Sequence, residues 1–371
     1  MGIFIGSLLP NSVYGLPQFA VRFGSTIYEG HVHEEASKTM DCRACHINPT
    51  GGGMRNLHGR QFSVGKLPMQ ENTGEINEQL IETARVNPLV TIGTDIRFAY
   101  LRADKESTSA YKDTFFPMQG DIYVTFTPAE HIVLYYQDGI QQNREVFGMI
   151  NELPANAHVK FGKFIPPYGL KLDDHTSFIR DKLGFGNTFG SESESGVEAG
   201  FANELWFGNA AIFNGSGVAP DDNSAKGFSA TGGVKNPQFW LAGSYYNNTT
   251  GNSSGNVTRE YIGTYTAARF QWLAVLGEWD WIFTKTPPTK RSGNVAYAEL
   301  DATITRGLVG KIKYDVYDPD NSSPGDRLER FTFGFDIYPY PFTEVFVQYR
   351  KNIEDIDSKN DQILIMTHLF Y

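Results

Sequence analysis

From about Pro88 to Tyr371 the chain alternates apolar and polar residues with a period of two. Successive side chains of a strand point to opposite faces, so such text asks for sheet with one apolar and one wet face. In residues 120–128, Ile122, Val124 and Phe126 oppose Asp121, Tyr123, Thr125 and Thr127. In residues 310–319, Ile312, Tyr314 and Val316 oppose Lys311, Lys313, Asp315 and Tyr317. In residues 343–352, Val345, Val347 and Tyr349 oppose Glu344, Phe346, Gln348 and Arg350. A soluble sandwich alternates in the same way, so the period by itself does not choose between water and lipid.

Strand count and connector length do choose. The pattern predicts strands near 89–103, 118–127, 131–138, 144–153, 156–164, 196–204, 205–214 and 226–235. It predicts eight more near 238–247, 257–268, 271–285, 295–306, 309–318, 327–338, 341–352 and 362–371. Sixteen is an even number, as in single-chain bacterial barrels, and most of these strands have the roughly 9–11 residues that cross a bilayer at a tilt. Short connectors (127–131, 153–157, 235–238, 305–308, 338–342) alternate with longer polar ones (102–113, 214–227, 247–256, 284–294, 318–327, 352–361). Short periplasmic turns facing long outer loops are the pattern of a transmembrane barrel. The expected fold is therefore all-β, a transmembrane antiparallel β-barrel of about 16 strands over residues 87–371, in a bacterial outer membrane and in contact with its lipid, with both termini periplasmic.

Composition agrees. Aromatic residues are 14 %, with 19 Tyr, 27 Phe and 38 Gly. A net charge of −10 does not suit a nucleic-acid binder, which would be basic. Mean hydropathy is −0.34 and no apolar run approaches about 18 residues, so no helix is available to span a membrane. The final strand places Ile363, Ile365, Thr367, Leu369 and Tyr371 on one face, and its aromatic terminus is similar to the carboxyl-terminal signal by which outer-membrane barrels are inserted.

The text before the barrel differs. Residues 1–25 read as the remnant of an export signal and a short lead, with the true start upstream or misassigned; an ordered N-terminal strand is the alternative. Residues 26–86 hold the chain's two cysteines, in Cys42-Arg43-Ala44-Cys45-His46, and a helix-like stretch over 74–86. C-x-x-C-H is the attachment motif of a c-type haem. Two thiols three positions apart add to the two vinyl groups of one porphyrin, and the following imidazole supplies the proximal iron ligand. A structural zinc site would need four ligands, with distant histidines joining the two cysteines. A C-x-x-C redox disulfide would normally sit on a βαβ unit, of which there is no sign. One covalent haem c is thus the expected cofactor of a monohaem cytochrome c segment, itself a possible plug of the lumen. Gly51, Gly52 and Gly53 let the backbone turn tightly beside the haem face.

For the sixth iron ligand His33, His58 and Met54 are candidates, with His31 behind them; axial identity sets the potential. Arg43, Arg55 and Arg60 could pair with haem propionates. His158 and His368 fall on wet faces of their strands, and His131 falls at a turn.

Two resemblances sharpen these expectations. The run from His46 to Phe62, with C-x-x-C-H before it and a barrel after, resembles the monohaem segments of fused cytochrome–porins of bacterial outer membranes, among them iron-oxidising ones. The stretch FGKFIPPYGLKLDDHTSFIRD is similar to the porin family that includes phosphate-selective channels and its relatives in metal-respiring bacteria. The long loop 165–197 is the third outer loop by count, and its resemblance to the inward-folding third loop of general porins implies a constriction near Asp173, Asp174, His175, Arg180 and Lys182; a surface lid is the alternative. The implied function is passage of single electrons between periplasmic cytochromes and extracellular metal ions or minerals such as iron. One haem serves a membrane's thickness only if it lies well up the lumen. The alternatives are a diffusion porin, for anions or small solutes, whose haem segment docks or gates, and a barrel that sheathes a separate multihaem cytochrome. The chain reads as an electron carrier or an iron oxidoreductase rather than a conventional enzyme. No nucleic-acid partner is expected, and a homotrimer follows by analogy with sixteen-stranded porins.

Overall fold

A computed structural model describes residues 42–70, 75–104, 113–140, 144–185, 193–217, 221, 223–236, 238–252, 255–354 and 360–371. The expected export segment 1–25, together with His31 and His33, lies outside these residues.

Among the described residues there are seventeen strands. They are β1 (Arg85–Asn87), β2 (Val90–Ala103), β3 (Asp113–Ala129), β4 (Ile132–Gly139), β5 (Glu145–Leu153) and β6 (Ala157–Phe164). There follow β7 (Glu194–Ala202), β8 (Trp206–Phe213), β9 (Gly227–Asn236), β10 (Phe239–Asn252), β11 (Gly255–Phe270) and β12 (Leu273–Thr286). The last are β13 (Thr289–Thr305), β14 (Leu308–Asp318), β15 (Leu328–Ile337), β16 (Thr343–Glu354) and β17 (Gln362–Phe370). From β2 onward each strand pairs antiparallel with the next, and β17 pairs back onto β2 from Gln362↔Ala103 to Phe370↔Asp95. The sixteen strands β2–β17 therefore close into a barrel without a free edge. The short β1 only folds back on β2.

Every one of the sixteen expected strands is present, and the differences lie at their ends. β3 begins five residues early because Pro117, which cannot donate to a ladder, sits at a bulge where the pairing steps from Arg97↔Gln119 to Phe98↔Pro117. The expected long loops 247–256 and 284–294 are instead continuations of hairpins β10–β11 and β12–β13. Their Thr and Asn residues are compatible with a strand wetted on both faces, and the Thr249 and Thr258 hydroxyls meet across the pair at 3.0 Å.

The faces sort as the alternation requires. Ile122, Ile312 and Ile363 point outward and are exposed, whereas their neighbours Asp121, Lys313 and Gln348 are buried in the interior. Exposed Phe98, Phe115, Trp279 and Trp281 widen this outer apolar belt, which water would not tolerate at such size. Inside, charges are matched rather than solvated: Lys311 reaches Glu299 at 2.8 Å, Asp336 at 3.0 Å and Asp301 at 3.5 Å.

Two segments enter the interior. The first, residues 42–70, holds a 3-10 turn over Cys42–Ala44 and helix α1 (Leu57–Gly65). It leaves at the rim of short turns, where Met69 N donates to Tyr338 O at 2.7 Å and Arg306 donates to Pro68 O, also at 2.7 Å. Helix α2 (Glu75–Glu82) follows within the expected helical stretch and leads to β1. The second segment is the loop after β6. It contains the short helix α3 (Phe178–Asp181) and packs Tyr168, Leu170, Phe178, Ile179 and Phe185 against Tyr261, Tyr265, Leu276 and Tyr297 of the wall.

Candidate functional site

The cysteine turn is built locally. Cys45 N and His46 N both donate to Cys42 O, at 3.2 and 2.9 Å, which brings the two thiols and the imidazole together. His46 pairs with Arg55 across a bridge, and Ile47 N donates to Met54 O at 3.1 Å. The intervening turn uses Gly51, Gly52 and Gly53, at φ of +85°, +76° and +62°, a region closed to most side chains. A β-carbon on Gly51 would lie 2.8 Å from Cys42 Sγ. Asn56, which sequence reasoning passed over, caps α1 through Gly59 N at 2.9 Å and donates its amide to Arg43 O at 2.8 Å and Ala44 O at 3.3 Å. An Asn just before a helical run is a capping signal that could have been read.

Barrel side chains grip this turn. Lys160 Nζ, wholly buried, donates to Asn48 Oδ1 at 3.1 Å and pairs with Glu198 at 2.9 Å. Met54 N donates to the Tyr135 hydroxyl at 3.2 Å. Arg43 donates to the carbonyls of Asn156 at 2.6 Å and Ala202 at 3.3 Å. From the second segment, Lys171 Nζ reaches Gly51 O.

Between the two segments and the wall lies a cavity of about 290 Å³. Cys42, Cys45, His46 and Arg55 line it from the first segment, Lys171, Asp173 and His175 from the second, and Asp95, Arg97, Tyr265 and His368 from the strands. Neither thiol is in a disulfide. Burial pushes the Cys45 thiol up to about 12 and the His46 imidazole down to about 3, so both are uncharged at neutral pH. Two thiols outside any disulfide and a neutral imidazole, all bordering a cavity, fit the donor set of a covalently attached haem.

The other expected residues separate. Met54 and His58 are not among the residues that line the cavity. Met54 instead packs against Tyr123, Tyr135 and Met149 on the wall, and burial lowers the His58 pKa on α1. Arg43 and Arg60 spend their guanidinium groups on carbonyls, Arg60 on Ile81 O and Arg55 O, both at 3.1 Å. Arg55 lies 3.9 Å over the Phe370 ring and borders the cavity.

Asp173 meets Arg97 at 2.5 Å, and Asp174 meets Lys313 at 2.9 Å and Arg350 at 3.7 Å. These pairs pin the second segment to the wall. Arg180 is buried over Phe185, and Lys182 pairs with Asp181 at 2.7 Å. The expected loop 165–197 ends earlier, since β7 begins at Glu194. His158 is buried against Glu198 at 3.1 Å, and His368 lies between Asp95 at 2.9 Å and Glu344 at 2.8 Å. His131, at its turn, pairs with Glu152 at 3.0 Å.

No protein-family model matches this chain, and no curated protein matches it. Solved structures do. OmpT of Vibrio cholerae is 10 % identical with a TM-score of 0.57, over 76 % of this chain and 97 % of that one. An anion-selective porin from Comamonas acidovorans is 10 % identical with a TM-score of 0.56, over 76 % and 99 %. The outer membrane channel DcaP of Acinetobacter baumannii is 9 % identical with a TM-score of 0.54, over 76 % and 97 %. At this identity the likeness is one of fold, and the chain carries a closed sixteen-stranded antiparallel β-barrel like those of outer-membrane porins.

Proposed function

We propose that this protein is an outer-membrane electron carrier in which a porin-like barrel, with both chain termini on the periplasmic side, holds a covalent haem c inside its lumen. It passes single electrons between periplasmic cytochromes and extracellular donors or acceptors such as iron. The observation that carries this reading is that C-x-x-C-H opens onto a cavity inside the barrel wall. Cys42 and Cys45 would hold the porphyrin, His46 would ligate its iron, and Arg55 is the arginine best placed for a propionate. When bound, the haem supplies a one-electron couple. The barrel wall and the two inward segments would surround it. The apolar outer belt supports the lipid setting, and the short-turn rim where residues 65–70 leave the barrel would face the periplasm.

A diffusion porin is the second reading, favoured by the fold it shares with the anion-selective porin. Against it stand the two inward segments and their buried contacts with the wall. The test is to purify the protein from a host competent in c-type haem attachment, record its spectrum after denaturation, and measure electron passage across proteoliposomes. Covalent haem with transfer to or from external iron supports the carrier; a colourless protein with large steady conductance overturns it.

A further inference from the structure

Four histidines border the cavity: His46, His158, His175 and His368. Two of them are committed to carboxylates. His158 meets Glu198 at 3.1 Å, and His368 is held through both ring nitrogens, by Glu344 at 2.8 Å and Asp95 at 2.9 Å. His175 makes no side-chain hydrogen bond or ion pair with any described residue. Its position is nevertheless fixed from both sides. Asp173 is locked by Arg97 at 2.5 Å, and Asp174 by Lys313 at 2.9 Å, while Ser177 Oγ closes the turn onto Asp174 O at 3.0 Å. A rigidly mounted imidazole without a protein partner, turned to a cavity, is short of one ligand.

His175 and His46, carried by the two different inward segments, border the same cavity, and Asp173 lines it as well. Burial holds the His175 imidazole at about 4, so it keeps a free lone pair at neutral pH. We propose that His175 is the sixth ligand of the haem iron, opposite His46, so that the second inward segment closes the site that the first one opens. This rests on the haem reading above. The rival nitrogen donor at the cavity is Lys171, whose Nζ is occupied by Gly51 O. Bis-histidine ligation would give a low-spin iron with a lower potential than a His/Met pair.

The experiment compares haem-loaded wild type, His175→Ala, His175→Met and Lys171→Met. Covalent attachment is read from the haem retained after denaturation, which does not depend on the sixth ligand. Ligation is read from spin state by electron paramagnetic resonance, from the near-infrared charge-transfer band and from the rate of carbon monoxide binding. The expected result is a bis-histidine wild type and a high-spin His175→Ala that binds carbon monoxide faster and returns to low spin on adding imidazole. His175→Met should shift the potential upward, and Lys171→Met should leave the spin state unchanged. Low spin that persists in His175→Ala, or that is lost in Lys171→Met alone, overturns the assignment while the haem reading stands. A wild-type near-infrared band of His/Met or His/Lys type overturns it without any variant. Wild type without covalent haem removes both.

Discussion

Lys171 Nζ donates to the carbonyl of Gly51 at 2.5 Å, joining the two inward segments across 120 residues of chain. The bond ends on the turn that shapes the cysteine site. Gly51→Ala would place a β-carbon 2.8 Å from Cys42 Sγ at a φ of +85°. The left-handed strain alone costs about 1–2 kcal/mol. We expect a several-fold loss of covalently attached haem, with the barrel still folding as judged by its heat-dependent mobility on gels. Gly184→Ala is the control, because it has a φ of +82° but nothing within 4 Å; it should carry the strain and leave haem loading intact.

Asn56 makes two kinds of contact that substitution can separate. Its oxygen caps α1 through Gly59 N, and its amide nitrogen holds the Arg43 and Ala44 carbonyls of the cysteine turn. Asn56→Ala should lose about 1 kcal/mol of cap and the clamp as well. Asn56→Asp keeps an acceptor for the cap but offers no donor. If the clamp orders the turn, both variants lose haem loading, whereas only Asn56→Ala lowers the helical signal of the segment. Circular dichroism and haem staining on the same samples make the comparison.

The barrel was legible because its physics is local and repetitive. Alternation over β3, β14 and β16 reports which face each side chain takes, and closure follows from strand number. The ends of β3 and of the β10–β11 hairpin were not legible, since Pro117 and the Thr–Asn run read as breakers until a bulge and cross-strand hydroxyl contacts accommodate them. At the site, Cys42, Cys45 and His46 announce themselves by spacing. The role of His175, and the burial of Arg60 and Met54, depend on which residues meet across the lumen, and one-dimensional text does not carry that.

Asp174 should control docking of the second segment. Lys313, Arg350 and Arg330 hold its carboxyl well below the usual range despite burial. A depressed carboxylate contributes stability above its unfolded pKa, near 4, and loses it as pH falls further. His175 acts earlier. Its folded value of about 4 lies below the ordinary 6.5, so without haem the docked loop weakens as pH falls from 6.5 toward 4. Asp174→Asn leaves buried Lys313 and Arg350 without their counter-charge, which costs about 3–5 kcal/mol when such a pair is broken from one side. Limited proteolysis of haem-free protein should cut within 165–185 more readily in Asp174→Asn at pH 7. His175→Gln should flatten the wild-type response between pH 6.5 and 4. Equal cleavage of Asp174→Asn and wild type at pH 7 would remove the anchoring role.

Removal of residues 42–70 tests what the first segment does to the lumen. It contributes Asn48, bound to Lys160 and, at 3.5 Å, to Glu145, and Met54, which packs against Tyr123, Tyr135, Phe147 and Met149. Without it, Glu145, Lys160 and the Tyr135 hydroxyl can be solvated by water entering the lumen, so the barrel has no buried charge left stranded. The sixteen paired strands do not depend on the segment for a single ladder bond. The shortened protein should therefore still form a barrel, and its conductance in planar bilayers should exceed that of the full chain several-fold, limited by the second segment that remains. Conductance that is already large in the full chain and unchanged by the deletion would mean that ions bypass residues 42–70, and the diffusion porin would then be the better reading.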